Sequence, residues 1–395
     1  MSWLRRLCVL LVVGHFCVIR CVGAGDEEQV QRLNNIIQLI KGDCVVSAIR
    51  SELDNLNDIN MRNSEGLTLL MAAAMYNTHG TVISTLVSRG ASLSDVWLGN
   101  QTPLAMAAGK SLNADVVKKL INLGADCDVR DSDGCTALMV AIRDNPDKNV
   151  AIDMMDWGMN LNATDISVRQ SVLLFAIMRG EDSIVSALLD RGVLPNQADL
   201  DRITPLMEAV RIDSMAMTQK LLDNGADLTL RDDDGHTALW YAVEHNCINM
   251  VSFLVMNGAD VNAADKFGYT PFVSACCCRH VDESMLDMLV ANGVDPDGAD
   301  SDGYTPLMNV LSVCADGSRV DYLLSRGANV NAVANDGKTP LMLAVSNGAS
   351  KDVVRKLLNA GANVNAVDSV GKKAADYAKP PFGMDATVFN GLVSE

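Results

Sequence analysis

A hydroxyl residue returns at nearly fixed intervals along this chain: Thr68, Thr102, Thr136, Ser171, Thr204, Thr237, Thr270, Thr305 and Thr339, with Lys373 continuing the series. Every interval is 33 to 35 residues. A period of that size forces one supersecondary unit stacked on copies of itself. The unit reads most clearly over Asn335–Val364. Asp336-Gly337 signals a turn, because glycine allows positive φ. Thr339 is suited to cap a helix, and Pro340 fits the first helical position, where no N–H is needed. Leu341 and Ala344 share one helical face. Val353, Val354, Leu357 and Leu358 stripe a second helix, and Gly361 ends it. Two helices this short cannot bury their apolar faces alone.

The stop signal recurs in step as Gly90-Ala91, Gly124-Ala125-Asp126, Gly225-Ala226-Asp227, Gly258-Ala259-Asp260 and Gly327-Ala328-Asn329. A period near 33 with a T-P-L core and a G-A-D stop resembles the ankyrin repeat, from about Gly42 to Tyr377. The resemblance implies an all-α solenoid of helix-turn-helix units with β-hairpin-like tips. One departure is systematic. The family often has histidine after T-P-L. This chain has Met71, Met139, Met207, Met308 and Met342, or Ala105, Phe175, Trp240 and Val273. Apolar packing is expected to replace the histidine's hydrogen bonds.

Residues 1–24 read as a signal peptide. Arg5 and Arg6 precede the apolar stretch Leu7–Ile19, and Val22-Gly23-Ala24 offers small residues for cleavage. Thirteen residues fall short of the roughly 20 needed to span a bilayer. The expected organisation is a leader at 1–24, an N-terminal capping helical pair at 25–60, about nine repeats over 61–365, and a C-terminal capping helix and tail at 366–395. Lys372–Ala378 reads as one last helix, ended by Pro380-Pro381. The weakest repeat is Ala163–Gln197, whose turn Asp165–Arg169 lacks glycine. The 35-residue spacings at Thr136–Ser171 and Thr270–Thr305 imply one-residue insertions.

The net charge of −17 argues against nucleic acid, since phosphate binding needs clustered Lys and Arg. It argues equally against an anionic membrane surface. Eleven cysteines are scattered without a small-domain disulfide framework, and three belong to the leader. Leader and repeat style together point to an exported bacterial protein, periplasmic or secreted, with no membrane insertion once the leader is removed, and monomeric; an uncleaved membrane anchor is the alternative.

No nucleotide loop G-x-x-x-x-G-K-[ST] and no H-E-x-x-H motif occurs, and five histidines leave little for acid–base work. No catalytic residue, resident metal or cofactor is expected. The unusual cluster is Cys276-Cys277-Cys278-Arg279-His280. With Cys247 and Cys314 from neighbouring units it reads as packing first. An inter-repeat disulfide such as Cys247–Cys278, or a soft metal site, is the alternative. Cys127 and Cys135 flank one hairpin and read as unpaired thiols, with a cross-hairpin disulfide as the alternative. The Asp-rich turns at 131–134, 232–235 and 300–303 echo the start of a calcium loop but lack its twelfth-position glutamate. Asp there is ordinary turn chemistry.

The resemblance implies a concave groove lined by tips and first helices, which binds a protein partner. Mapped onto this chain, the partner-binding candidates are Asp233, Asp234, His236, Lys266, Phe267, Tyr269, Asp302, Tyr304 and Lys338. Aromatics among acids suit an interface anchor. The competing expectation is a structural or stress-protective periplasmic protein with a thiol or metal-binding region around Cys276–His280.

Overall fold

The computed structural model describes residues 8–13, 16–21, 24–111, 113–378 and 384–394, with side chains from Glu27 onward. Of the leader, residues 1–7, 14–15 and 22–23 lie outside the described residues, as does the expected stop at Pro380-Pro381. Within the leader, Cys8–Val13 pairs antiparallel with Phe16–Cys21. Every other regular element among the described residues is helical. No helix there is long and apolar enough to cross a membrane.

The chain divides into two compact units, residues 1–200 and 201–395. In the first, helices pair as Ala24–Lys41 with Val46–Asp54, Leu69–Tyr76 with Gly80–Ser88, Pro103–Lys110 with Ala114–Asn122, Ala137–Asp144 with Lys148–Met154, and Val172–Met178 with Asp182–Asp190. In the second, the pairs are Pro205–Arg211 with Met215–Asp223, Ala238–Glu244 with Ile248–Met256, Pro271–Cys277 with Glu283–Ala291, Pro306–Val313 with Gly317–Ser325, and Pro340–Ser346 with Lys351–Asn359. A single 3₁₀ turn, Ala374–Tyr377, and the helix Ala386–Ser394 follow. Within each unit, first helices pack on first helices and second on second, so each layer covers its neighbour.

Local chemistry sets these boundaries. Thr68, Thr102, Thr136, Ser171, Thr204, Thr270, Thr305 and Thr339 each accept the N–H three residues on, satisfying one of the orphan donors of a helix start. Thr237 does not; its hydroxyl is enclosed without a partner among the described residues. First helices are apolar nearly all round because they are buried on several sides, as at Leu69–Met75. Enclosed leucines such as Leu341 and Leu357 each contribute about 1.5–3 kcal/mol.

The methionines at the family's histidine position are 0–1% exposed, as apolar packing requires. Two do more: the Met71 and Met207 sulfurs receive the Thr68 and Thr204 N–H at 3.4 and 3.5 Å. In the Ser171 repeat the equivalent residue is Leu174, whose N–H the serine caps, and not Phe175. The two long spacings have different causes. At Thr136–Ser171 the extra residue sits in the turn, where Asp165 N–H reaches Gln170 O and Arg169 supplies the positive φ that glycine supplies elsewhere. At Thr270–Thr305 two residues, and not the one expected, are added in the connection Cys278–Asp282, which has five residues between helices where the preceding pair has three.

Candidate functional site

The tips at Asp232, Asp265 and Asp300 in the second unit share one construction, while Ala334 takes the aspartate's place in the tip after them. Asp232 Oδ1 accepts the N–H of Asp234 and His236 at 2.9 and 2.8 Å. Asp265 does the same for Phe267 and Tyr269, and Asp300 for Asp302 and Tyr304. The carboxylate thus closes the turn that its own backbone makes. Gly235, Gly268, Gly303 and Gly337 follow at positive φ. Neighbouring tips are then tied by single backbone bonds: Lys266 N–H to Asp234 O, Asn335 N–H to Asp302 O, Ser369 N–H to Asp336 O, at 2.9–3.0 Å. A Cβ on Gly235 would stand 2.6 Å from Lys266 N, so the tie requires glycine.

This construction sorts the expected binding residues into three groups. Asp234 and Lys266 form an ion pair between adjacent tips, and Lys266 Nζ also lies 5.1 Å from the Phe267 ring centroid. The bond to Lys266 holds the Asp234 carboxyl below its ordinary range. Phe267 is 60% exposed, and Asp233 beside this group is exposed as well. His236 stands apart. Its ring stacks on Trp240 at 3.6 Å and 14°, with Nδ1 3.3 Å from Asp232 and Nε2 3.8 Å from Asp265. Both carboxylates are nearly enclosed, so His236 pins two tips together and presents little to a partner.

The third group surrounds a cavity of about 330 Å³, lined by Tyr269, Asp300, Asp302, Tyr304, Asn309, Ser312, Asn335 and Asp336. Tyr304 donates its hydroxyl to Asp336 at 3.2 Å, and Lys338 Nζ sits 2.7 Å from the same carboxylate. Burial alone would raise the Asp336 carboxyl, but the bonds from Lys338 and Tyr304 carry it below its ordinary range. Burial lifts the Tyr269 and Tyr304 phenols above theirs. Asn309 and Ser312 were not anticipated. They lie four and seven residues after Thr305, on the helix face that Tyr241 and Glu244 occupy two repeats earlier, after Thr237. That repeated spacing was the available signal.

The cysteine region is organised by packing. Cys276 is 1% exposed, Cys247, Cys277, Cys278 and Cys314 are half-buried, and all eight described cysteines beyond the leader are free, Cys127 and Cys135 included. The His280 ring donates to the Glu244 carbonyl at 2.6 Å. Arg319, 7% exposed, donates to the carbonyls of Cys278 and Val281 and so braces the long connection. Among the described residues, no group of three or more His, Cys, Asp or Glu side chains is placed to hold a metal ion.

A family model described as Ankyrin repeats (3 copies) matches residues 30–131, 94–165, 173–265, 206–297 and 274–368. The chain is similar to the crystal structure of the human ASB11 ankyrin repeat domain, at 26% identity and a TM-score of 0.48. That similarity covers 56% of this chain and 98% of the other. No curated protein matches it.

Proposed function

The chain belongs to the ankyrin-repeat family, and from that premise we propose that it is a non-catalytic scaffold binding a protein partner through the concave side of its array. Ankyrin repeats are in general protein-interaction modules. The binding region is the row of tips and first-helix faces over residues 233–338. The observation that carries this reading is Phe267, 60% exposed at the end of a tip that the Asp234–Lys266 pair holds in place. The turn holds this large apolar ring out in water, with the Lys266 ammonium 5.1 Å from its centroid. Rigid aromatic side chains of this kind supply much of the binding energy at interfaces.

The test is a crosslinking pull-down with the chain from Gly25, repeated with Phe267→Ala, Tyr269→Ala and Tyr304→Ala. Loss of one specific partner in the variants is expected. Equal recovery by all four proteins would remove the reading. Export is part of the same proposal, supported by Arg5-Arg6, the apolar stretch and Val22-Gly23-Ala24. N-terminal sequencing of the chain recovered outside the cytoplasm is expected to begin at Gly25.

A further inference from the structure

We propose that the cavity between Tyr269, Tyr304 and Asp336 takes the guanidinium group of an arginine side chain from the protein partner. The proposal rests on the reading that this face binds protein, and it names the chemistry that one pocket selects.

Three carboxylates surround the cavity, and two of them are already engaged. Asp300 Oδ1 closes its own turn, and its Oδ2 accepts from Asn309 Nδ2 at 3.2 Å. Asp336 holds Lys338 and the Tyr304 hydroxyl. Asp302 is exposed, and among the described residues its carboxylate has no hydrogen-bond or ion-pair partner. Ser312 also lines the cavity, and its hydroxyl oxygen is enclosed without a partner among the described residues. Two acceptors are therefore unfilled, one carboxylate open to solvent and one hydroxyl shut away from it. The two tyrosines contribute aromatic surface to the same walls.

The chemistry of these walls narrows the occupant. An anion would meet three carboxylates against the ammonium of Lys338, which already lies on Asp336. An apolar side chain would displace water from the Asp302 carboxylate and leave it unpaired, which is costly. The remaining class is a cation that donates several hydrogen bonds. A guanidinium is planar, stacks on aromatic faces and donates from five N–H groups in a fork that fits a carboxylate. An ammonium has neither the plane nor the fork, and it is strongly hydrated. A volume of about 330 Å³ is at the small end for ligand sites, which suits one side chain better than a whole metabolite.

The test uses the chain from Gly25 and the peptide acetyl-Gly-Ser-Arg-Ser-Gly-amide, with citrulline or lysine replacing arginine in two controls. Citrulline keeps the shape of arginine and removes its charge. Binding is read by saturation-transfer NMR and by competition among the peptides. The arginine peptide is expected to bind about tenfold more tightly than the citrulline peptide. Asp302→Asn and Ser312→Ala should erase most of that preference, while Phe267→Ala, outside the cavity, leaves it intact. Asp302→Asn is expected to melt like the parent, because its carboxylate has no partner to lose. Equal binding of arginine and citrulline peptides, or an undiminished preference in Asp302→Asn, overturns the proposal. If equal binding is found while Phe267→Ala still loses its partner in the pull-down, the arginine pocket falls and the interaction face stands. If arginine is preferred while Phe267→Ala retains every partner, the pocket stands and the Phe267 anchor falls.

Discussion

The Tyr241 hydroxyl donates to Asp232 Oδ2 at 2.7 Å, from the first helix of a repeat back to the turn that precedes it. Asp232 is 5% exposed, and its other oxygen closes the turn itself. One carboxylate therefore joins turn to helix. Tyr377 makes the same bond to Asp368, and Asn309 makes its amide version to Asp300. Tyr241→Phe strips one partner from an enclosed carboxylate, leaving His236 at 3.3 Å. A loss of about 1–3 kcal/mol is expected in urea unfolding. An unchanged midpoint would mean that the bond contributes nothing.

Two glycines at nearly the same φ separate two costs. Gly225 has φ +86 and nothing within 4 Å of an added Cβ; Gly235 has φ +87 and Lys266 N at 2.6 Å. Gly225→Ala carries only the left-handed penalty, about 1–2 kcal/mol. Gly235→Ala must also push the next tip away and is expected to cost clearly more. Equal losses would show that the tie between tips yields freely.

The threonine series contains its own control. Thr305→Ala removes a cap bond to Met308 N–H and should cost about 1 kcal/mol. Thr237→Ala removes a hydroxyl that has no partner among the described residues, and it should cost less than half of that. Calorimetry of the two variants decides between them.

The tyrosine at the last turn sets an alkaline limit. Tyr377 is pushed up to about 12, first by its bond to Asp368 and then by burial. The unfolded phenol titrates near 10, so folding favours the protonated form. That contribution is whole below about pH 10 and is lost as pH rises through 12. Tyr377→Phe should therefore lose stability less steeply than the parent over that range. Parallel melting curves would refute the assignment.

Thiol reactivity should divide by burial. Burial, with Asp131 nearby, pushes Cys135 up to about 11, and burial with Cys314 pushes Cys277 up to about 12. At pH 8 the thiolate fraction of Cys135 is then about one in a thousand. Ellman's reagent should leave Cys135, Cys276 and Cys277 unmodified in the folded chain and titrate all three in urea. Rapid reaction of the native protein at these positions would contradict the packing described.

Much of the fold was legible because it is local and repeated. Thr305, Pro306 and Gly327 each specify a helix boundary within a few residues of themselves, and the period placed them. The Asp turns were legible for the same reason. Three things were not. The bond from Asn335 N–H to Asp302 O joins residues 33 apart and leaves no pattern beyond the glycine it requires. The position of the two added residues before Thr305 depended on Arg319 bracing the connection from the next repeat. His236 read as an exposed tip residue, but its ring depends on Trp240 and on two carboxylates from different turns. Sequence order does not announce such a three-way meeting. Asn309 and Ser312 needed only the helical spacing that was already in view.

Because the ties between tips run from backbone to backbone, the distance from one displayed side chain to the next does not depend on which side chains are displayed. Residues 233, 266 and 335 can be exchanged among charged, aromatic and polar types while their pitch stays fixed. The row behaves as a ruler whose marks can be relabelled without moving. An engineer who wanted a different ligand would therefore change the lettering at these three places and leave every glycine alone.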